Sequence, residues 1–321
     1  MTQPSSEAAA GAEQRFGAYL DHLAPAFGHA DRETPVRQYC TGLLLPGERK
    51  SVEPMAARVA PRAVRATHQS MHHLVAAAPW DDAAVLGAVR DAVLPALLAH
   101  GPVAAWIVDD TAIPKKGRHS VGVARQWCGE RGKQDNCQAA VSLSVASRAA
   151  SLPVAYQLYL PEEWAEDPER RERAGVPADV GFRTKPEIAL AQIDATLAAG
   201  VPRGVVLADA AYGSDTAFRD QLTAWDLRYA VGIRGNVTVW PAGTGPLPPP
   251  PYAGFGRPAI RLRRDAEHRP VAVEQLALDL PASAYRTVTW REGTRGLLRS
   301  RFARVRVRPA HRDYNRREMR A

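Results

Sequence analysis

Ala104-Ala105-Trp106-Ile107-Val108-Asp109-Asp110-Thr111, continuing through Ile113-Pro114-Lys115-Lys116-Gly117-Arg118-His119-Ser120, runs from apolar residues through a carboxylate pair to a cationic segment. Ala104 to Val108 reads as a buried strand. Two acids where that run ends are costly unless they are paired or hold a metal. With Lys115, Lys116 and Arg118 next in line, the stretch suits an anionic polymer and a divalent ion. A second stretch repeats the arrangement: Gly204-Val205-Val206-Leu207-Ala208 is apolar and closes on Asp209. Between the two, Gln138 to Val145 alternates with Ala139, Val141, Leu143 and Val145 on one face, and Pro153 to Leu160 alternates likewise. Arg228 to Ile233 is a fifth strand. Thr184 and Glu187 match a capping box opening a helix through Leu190, Ile193 and Leu197, and Ser214 caps another with Phe218, Leu222 and Trp225 on one side.

The order of three strands, helix, strand, helix, strand predicts an α/β fold with a mixed sheet and flanking helices, spanning 102–235. A crossover through the Thr184 helix sets the first and fourth strands side by side, and Asp109 and Asp209 with them. Two aspartates on neighbouring strands suit Mg²⁺ chemistry at a phosphate, in which the metal also lowers the pKa of bound water. Such sites usually want a third carboxylate. An aspartate ending an apolar run is also a common helix cap or turn residue, so the pattern alone leaves both readings open.

Outward from this core the texture changes on both sides. Residues 1–12 are small and polar and read as disordered, and the rest of 1–101 reads as helices. Tyr19, Leu20, Leu23 and Phe27 share one face; Pro61-Arg62 opens a helix carrying Val64, His68, Met71 and His72; Asp81 caps a helix with Leu86, Val89, Val93 and Leu97, kinked at Pro95. His68, His72 and His73 read as packing or solvent-facing residues rather than metal ligands. Arg58, Arg62 and Arg65 make this region a candidate DNA contact, without a clear helix-turn-helix signature. Pro161 to Pro177, rich in Glu and Arg, reads as a solvated loop or short exposed helix.

The 321 residues carry a formal charge of +8, unevenly placed. From Arg257 onward there are 17 arginines, no lysine and 7 acids, a local charge of +10 against −2 for everything before. A basic end on a slightly acidic body points to a polyanion, DNA first. Region 236–321 reads as β-rich: Thr287 to Trp290 and Phe302 to Val307 form a hairpin, and Arg304, Arg306 and Arg308 alternate with Ala303, Val305 and Val307. Such a row of guanidinium groups suits phosphates, an edge strand protected by charge being the plainer reading. Cys40, Cys128 and Cys137 are too few and scattered for a disulfide framework and read as reduced structural thiols. Neither a membrane span nor a secretory signal is legible, so the expected location is the cytoplasm, at the nucleoid when DNA is bound.

The segments VDDTAIPKKGRHSVGVARQWCGERGKQDNCQ (108–138) and VVLADAAYG (205–213), with TKPEIAL (184–190) between them, closely resemble the DDE transposases of bacterial insertion sequences, nearest to the group typed by insertion sequence 701. The resemblance implies a ribonuclease-H-like core, a helical N-terminal region and a β-rich insertion after the fifth strand. It further implies cleavage and joining of double-stranded DNA at transposon ends and target DNA with Mg²⁺ or Mn²⁺, two metals in a complete site, and a homo-oligomer on DNA. Carried over residue by residue, the catalytic aspartates fall on Asp109 and Asp209, with Asp110 a supporting or additional ligand. Lys115, Lys116, Arg118, Arg125 and Lys133 then lie near the scissile phosphate or donor DNA. The family's glutamate, on a helix with Tyr and Lys at helical spacing, finds no match. Glu274, Glu292 and Glu318 fit poorly, and the expectation is a chain that stops inside the insertion. The competing expectations are a catalytically dead DNA-binding regulator and a phosphatase with a nucleophilic Asp; the latter lacks its usual second Asp, since Thr111 stands in that place.

Overall fold

Five helices precede the sheet in the computed structural model, which describes residues 6–310 apart from positions 261 and 295: α1 (Ser6–Leu23), α2 (Glu33–Leu44), α3 (Val52–Val59), α4 (Val64–Ala76) and α5 (Asp82–Ala99). Much of the segment expected to be disordered is helical, because Ala and Glu from Ser6 onward are strong helix formers. Short α2 and α3 escape a periodicity reading, as Pro35 and Pro54 interrupt it; both sit in a first turn, where proline costs no hydrogen bond. The fourth helix opens at Val64, with Pro61-Arg62 in the preceding turn. Leu23, Ala24, Val36 and Leu74 form one core, and the Trp80 indole donates to the Leu74 carbonyl at 2.8 Å. Met55, Ala56 and Met71 form a second, which a side chain at position 42 would disturb: a Cβ on Gly42 would lie 2.9 Å from that of Met55. As expected, Asp81 caps α5, accepting from the Ala83 N–H, and Pro95 lies inside it.

The sheet follows as β1 (Ala105–Pro114), β2 (Ala124–Cys128), β3 (Lys133–Ala146) and β4 (Ser151–Leu158), then β5 (Val205–Ala208) and β6 (Tyr229–Val231). Its order is β2-β3-β1-β5-β6, with β4 also paired to β3. β1 lies antiparallel to β3 and parallel to β5, in the register Ala105 to Val205 and Ile107 to Leu207. The mixed α/β sheet is therefore as expected. β2 pairs residues 133–137 of β3 and β4 pairs 140–146, so the two divide the edge of β3 remote from β1. Ala139, Val141, Leu143 and Val145 are all fully buried, as their alternation predicts.

Two expectations need correction here. β1 does not end where its apolar run ends; it continues through Asp109 and Asp110 to Pro114, because β3 goes on pairing with it as far as Cys137. Nor is the stretch after β4 merely a solvated surface. It forms α6 (Glu162–Ala165) and α7 (Pro168–Arg173) around the fully buried Trp164, whose indole donates to the Val123 carbonyl at 2.8 Å and whose ring lies 3.7 Å from the Arg170 guanidinium. Charge-rich composition conceals a single aromatic anchor, with Val123 and Leu160 packed against it.

The crossover helix α8 (Lys185–Ala198) has the capping box in full: the Glu187 N–H donates to the Thr184 hydroxyl, and the Glu187 carboxylate accepts from the Thr184 N–H. It buries Ile188, Ala189, Gln192, Ile193 and Thr196, and Gln192 donates to the Val141 carbonyl at 2.9 Å. After β5 come α9 (Ala210–Gly213) and α10 (Thr216–Ala224). Ser214 closes α9 instead of capping α10, and its hydroxyl accepts from the Arg234 N–H at 3.0 Å.

By internal packing the chain divides into two units. One holds residues up to Ala208 with Ala217–Ala230, so that the helical region and most of the sheet form one body. The other holds Asp209–Thr216 and the chain from Val231 on. In the second, β7 (Thr238–Pro241) lies between β8 (Val271–Ala272) and β11 (Val307–Pro309), with α11 (Val273–Asp279) after β8, while β9 (Tyr285–Gly293) and β10 (Gly296–Ala303) form a separate hairpin. The expected hairpin strand Phe302 to Val307 is broken: β10 ends at Ala303, and β11 pairs with β7 instead. Among the described residues no helix is long and apolar enough to cross a membrane.

Candidate active site

Asp109 and Asp110 lie side by side in the middle of β1, and strand alternation sends them to opposite faces. Asp109 is exposed and stands across from Ser142, whose hydroxyl donates to the Asp109 carbonyl at 3.2 Å. One carboxylate oxygen of Asp109, Oδ1, accepts the Asp110 N–H at 2.8 Å. Asp110 stands across from the buried Val141, and its Oδ2 lies 2.5 Å from Lys185 Nζ. Lys185 is the first residue of α8 and sits over the Tyr159 ring at 5.6 Å. A strand acid on the apolar face is thus neutralised by a cation that the capping box holds in place.

Asp209 follows β5 directly. Its backbone is still extended, with φ −79° and ψ −174°, and it caps α9 by accepting the Ala211 N–H on Oδ1 at 2.8 Å. Asp109 and Asp209 therefore share a local chemistry: each is exposed, with one oxygen held by a backbone amide and the other not hydrogen-bonded among the described residues. Two such carboxylates have donor chemistry suited to a hard divalent cation, while among the described residues no group of three His, Cys, Asp or Glu side chains is assembled for a metal. Of the poorly matching glutamates, Glu274 lies in the first turn of α11, Glu292 pairs with Leu297 in the hairpin, and Glu318 is outside the described residues.

Lys116, Arg118 and Arg125 line one cleft of about 540 Å³ together with Asn136, Glu163 and Arg170. Asn136 holds this arrangement. It stands across from Arg125 on the β2–β3 hairpin, and its side-chain amide donates to the Lys115 and Gly117 carbonyls at 2.7 and 2.9 Å. Lys116, Arg118 and Arg125 have no side-chain hydrogen bond or ion pair among the described residues, so three cations with open donors face one space. Arg170 is engaged, donating to the Arg118 and Val123 carbonyls. Lys115 and Lys133 do not line this cleft; Lys133 opens β3 beside Asp135, whose carboxyl is held below its usual range by the Asn136 N–H and by Arg131. Arg304 and Arg306 lie in the connection between β10 and β11, and Arg308 on β11 packs over the Trp240 ring at 5.8 Å. The three do not form one strand face, since Val305 and Val307 are themselves exposed and bury no apolar side beneath them.

Sequence reasoning missed Lys185, Arg170 and Asn136. The first was readable, as a lysine at a helix start is unfavourable to the helix dipole and asks for a nearby acid. The others are long-range partners with no local signature.

Residues 22–297 match the family of DDE superfamily endonucleases, and the chain belongs to that family. It is 34% identical over 169 residues to the probable transposase for insertion sequence element IS701 of Microchaete diplosiphon, a match covering 52% of this chain and 41% of that relative. The match spans less than half of the relative's length.

Proposed function

We propose that the protein is a DDE transposase of an insertion sequence, a class whose reaction is metal-dependent cleavage and joining of DNA at transposon ends, and that its described residues carry two of the three carboxylates this reaction uses. The observation that carries this is the parallel register of β1 and β5: Asp109 lies two residues beyond Ile107, and Asp209 two residues beyond its partner Leu207. The ribonuclease-H-like reading is supported by the strand order. Leaving out the short β2, the sheet runs third, second, first, fourth, fifth, with the first strand antiparallel to the second and parallel to the fourth.

In this reading Asp109 and Asp209 hold Mg²⁺ or Mn²⁺, and the metal supplies charge neutralisation at the scissile phosphate. The Asp110 and Ala211 amides orient the two carboxylates, and Lys185 keeps Asp110 from competing as a ligand. Lys116, Arg118 and Arg125 bind phosphate oxygens, the arginines in bidentate fashion. Lys115, Lys133, Arg304, Arg306 and Arg308 contribute to the wider DNA surface, and the protein works at the nucleoid, as an oligomer on the DNA.

The test is calorimetric titration of Mn²⁺ into wild type, Asp109→Ala and Asp209→Ala, alongside nicking of transposon-end DNA. Each substitution is expected to abolish binding. Unchanged binding in either removes that residue from the site, and DNA that is bound but never nicked by wild type favours a DNA-binding regulator.

A further inference from the structure

Trp127 and Trp290 are the two tryptophans left more than half exposed, and of the two Trp290 is tied down, its indole donating to the Ser300 hydroxyl at 3.1 Å. Trp106, Trp164 and Trp240 are fully buried, whereas Trp127 is 59% exposed on a regular strand. On β2, Gln126 and Cys128 turn inward: the Gln126 amide donates to the Cys137 carbonyl at 2.9 Å, and Cys128 is fully buried. Arg125 and Trp127 accordingly share the outer face, across from Asn136 and Gln134. The Trp127 indole N–H has no hydrogen-bond partner, and its ring no aromatic or cationic neighbour, among the described residues. The strand leads directly into the cleft of Lys116, Arg118 and Arg125.

We infer that Trp127 is a stacking platform for an unpaired nucleobase of single-stranded DNA whose backbone phosphates lie along Lys116, Arg118 and Arg125. An open π-face beside a row of unpaired cations is the combination that holds single strands: the ring takes any base, and the cations track the backbone. A duplex keeps its bases stacked on one another and offers the ring nothing, so the platform selects DNA that is frayed or opened. The cleft is basic, Glu163 being the one acid among the residues lining it, and so suits an anionic strand. The inference rests on the reading of this chain as DNA-binding.

The experiment compares the full chain's affinity for a short thymidine oligomer with that for an abasic deoxyribose-phosphate oligomer of equal length, which keeps the charge and lacks the bases. Wild type is expected to prefer thymidine by about tenfold, Trp127→Phe to retain most of that preference, and Trp127→Ala to lose it. Should the alanine variant fail to fold, Trp127→Leu carries the test, having apolar bulk without a π-face. No preference in wild type, or a preference surviving in the folded alanine or leucine variant, overturns the proposal. A variant that loses self-association in sedimentation while keeping its base preference also overturns it, giving the face to a second copy. The underlying DNA reading fails separately, if binding of the abasic oligomer is insensitive to both salt and the paired change Lys116→Ala with Arg118→Ala.

Discussion

Lys185 and Asp110 are each largely withdrawn from water, with side-chain exposures of 23% and 16%, and removing either breaks the ion pair between them. Lys185→Met should therefore cost roughly 1–3 kcal/mol, and Asp110→Asn added to it should recover part of that loss. A double-mutant cycle by denaturant titration measures the coupling; strictly additive effects would show that the pair does not matter to stability. Glu187 makes a pH-dependent contribution. The Thr184 N–H and hydroxyl hold its carboxyl below the ordinary value of 4.5, so the capping box is fully effective above that value and weakens as pH falls through the lowered one. Thr184→Ala should lower stability by about 1 kcal/mol at neutral pH, and the gap in melting temperature should narrow in acid. A gap independent of pH would remove Glu187 from the account.

Among elements, the pairing of β1 with β5 is the one most exposed to a single substitution. Gly204 enters β5 so close to β1 that a Cβ would sit 2.8 to 2.9 Å from the Ala105 backbone. Gly204→Ala should force the strands apart and lower stability by roughly 1–3 kcal/mol, with a loss of Mn²⁺ affinity that the equally mild Gly129→Ala, where a Cβ meets nothing, does not produce. Much of this layer was legible: β3 and β4 from alternation, α8 from its caps, and β5 from its apolar run. Others were not, for physical reasons. β2 has an outer face of Arg125 and Trp127, so its alternation does not separate apolar from polar, and α6 and α7 are held by one tryptophan that composition does not reveal. The acids of the candidate site could be read because charge in an apolar strand is conspicuous, whereas Lys185, the partner of Asp110, and Asn136, which holds the cationic cleft, depend on contacts 75 and 21 residues away in sequence.

Over the whole molecule, apolar burial is unequal. The first unit holds most of the fully buried aromatic and aliphatic side chains, while the β9–β10 hairpin of the second leaves Val288, Trp290, Leu297 and Phe302 between 44% and 55% exposed. A two-stranded ribbon with both faces wet has little to hold it beyond its own ladder. In hydrogen exchange its amides should therefore lose protection well before those of β1 and β3; equal protection would point to a partner covering the hairpin.

The divided edge of β3 has a consequence for how copies of this chain can meet. That side of the sheet is finished not by one long strand but by two short ones set end to end, β2 of five residues and β4 of eight, the latter interrupted by Pro153 and facing an irregularity at Leu143–Ser144. A strand from another molecule finds no long, straight template there, which is how soluble sheets avoid growing by edge-to-edge addition. A high local concentration of the chain thus brings little risk of fibre formation through this side of the sheet.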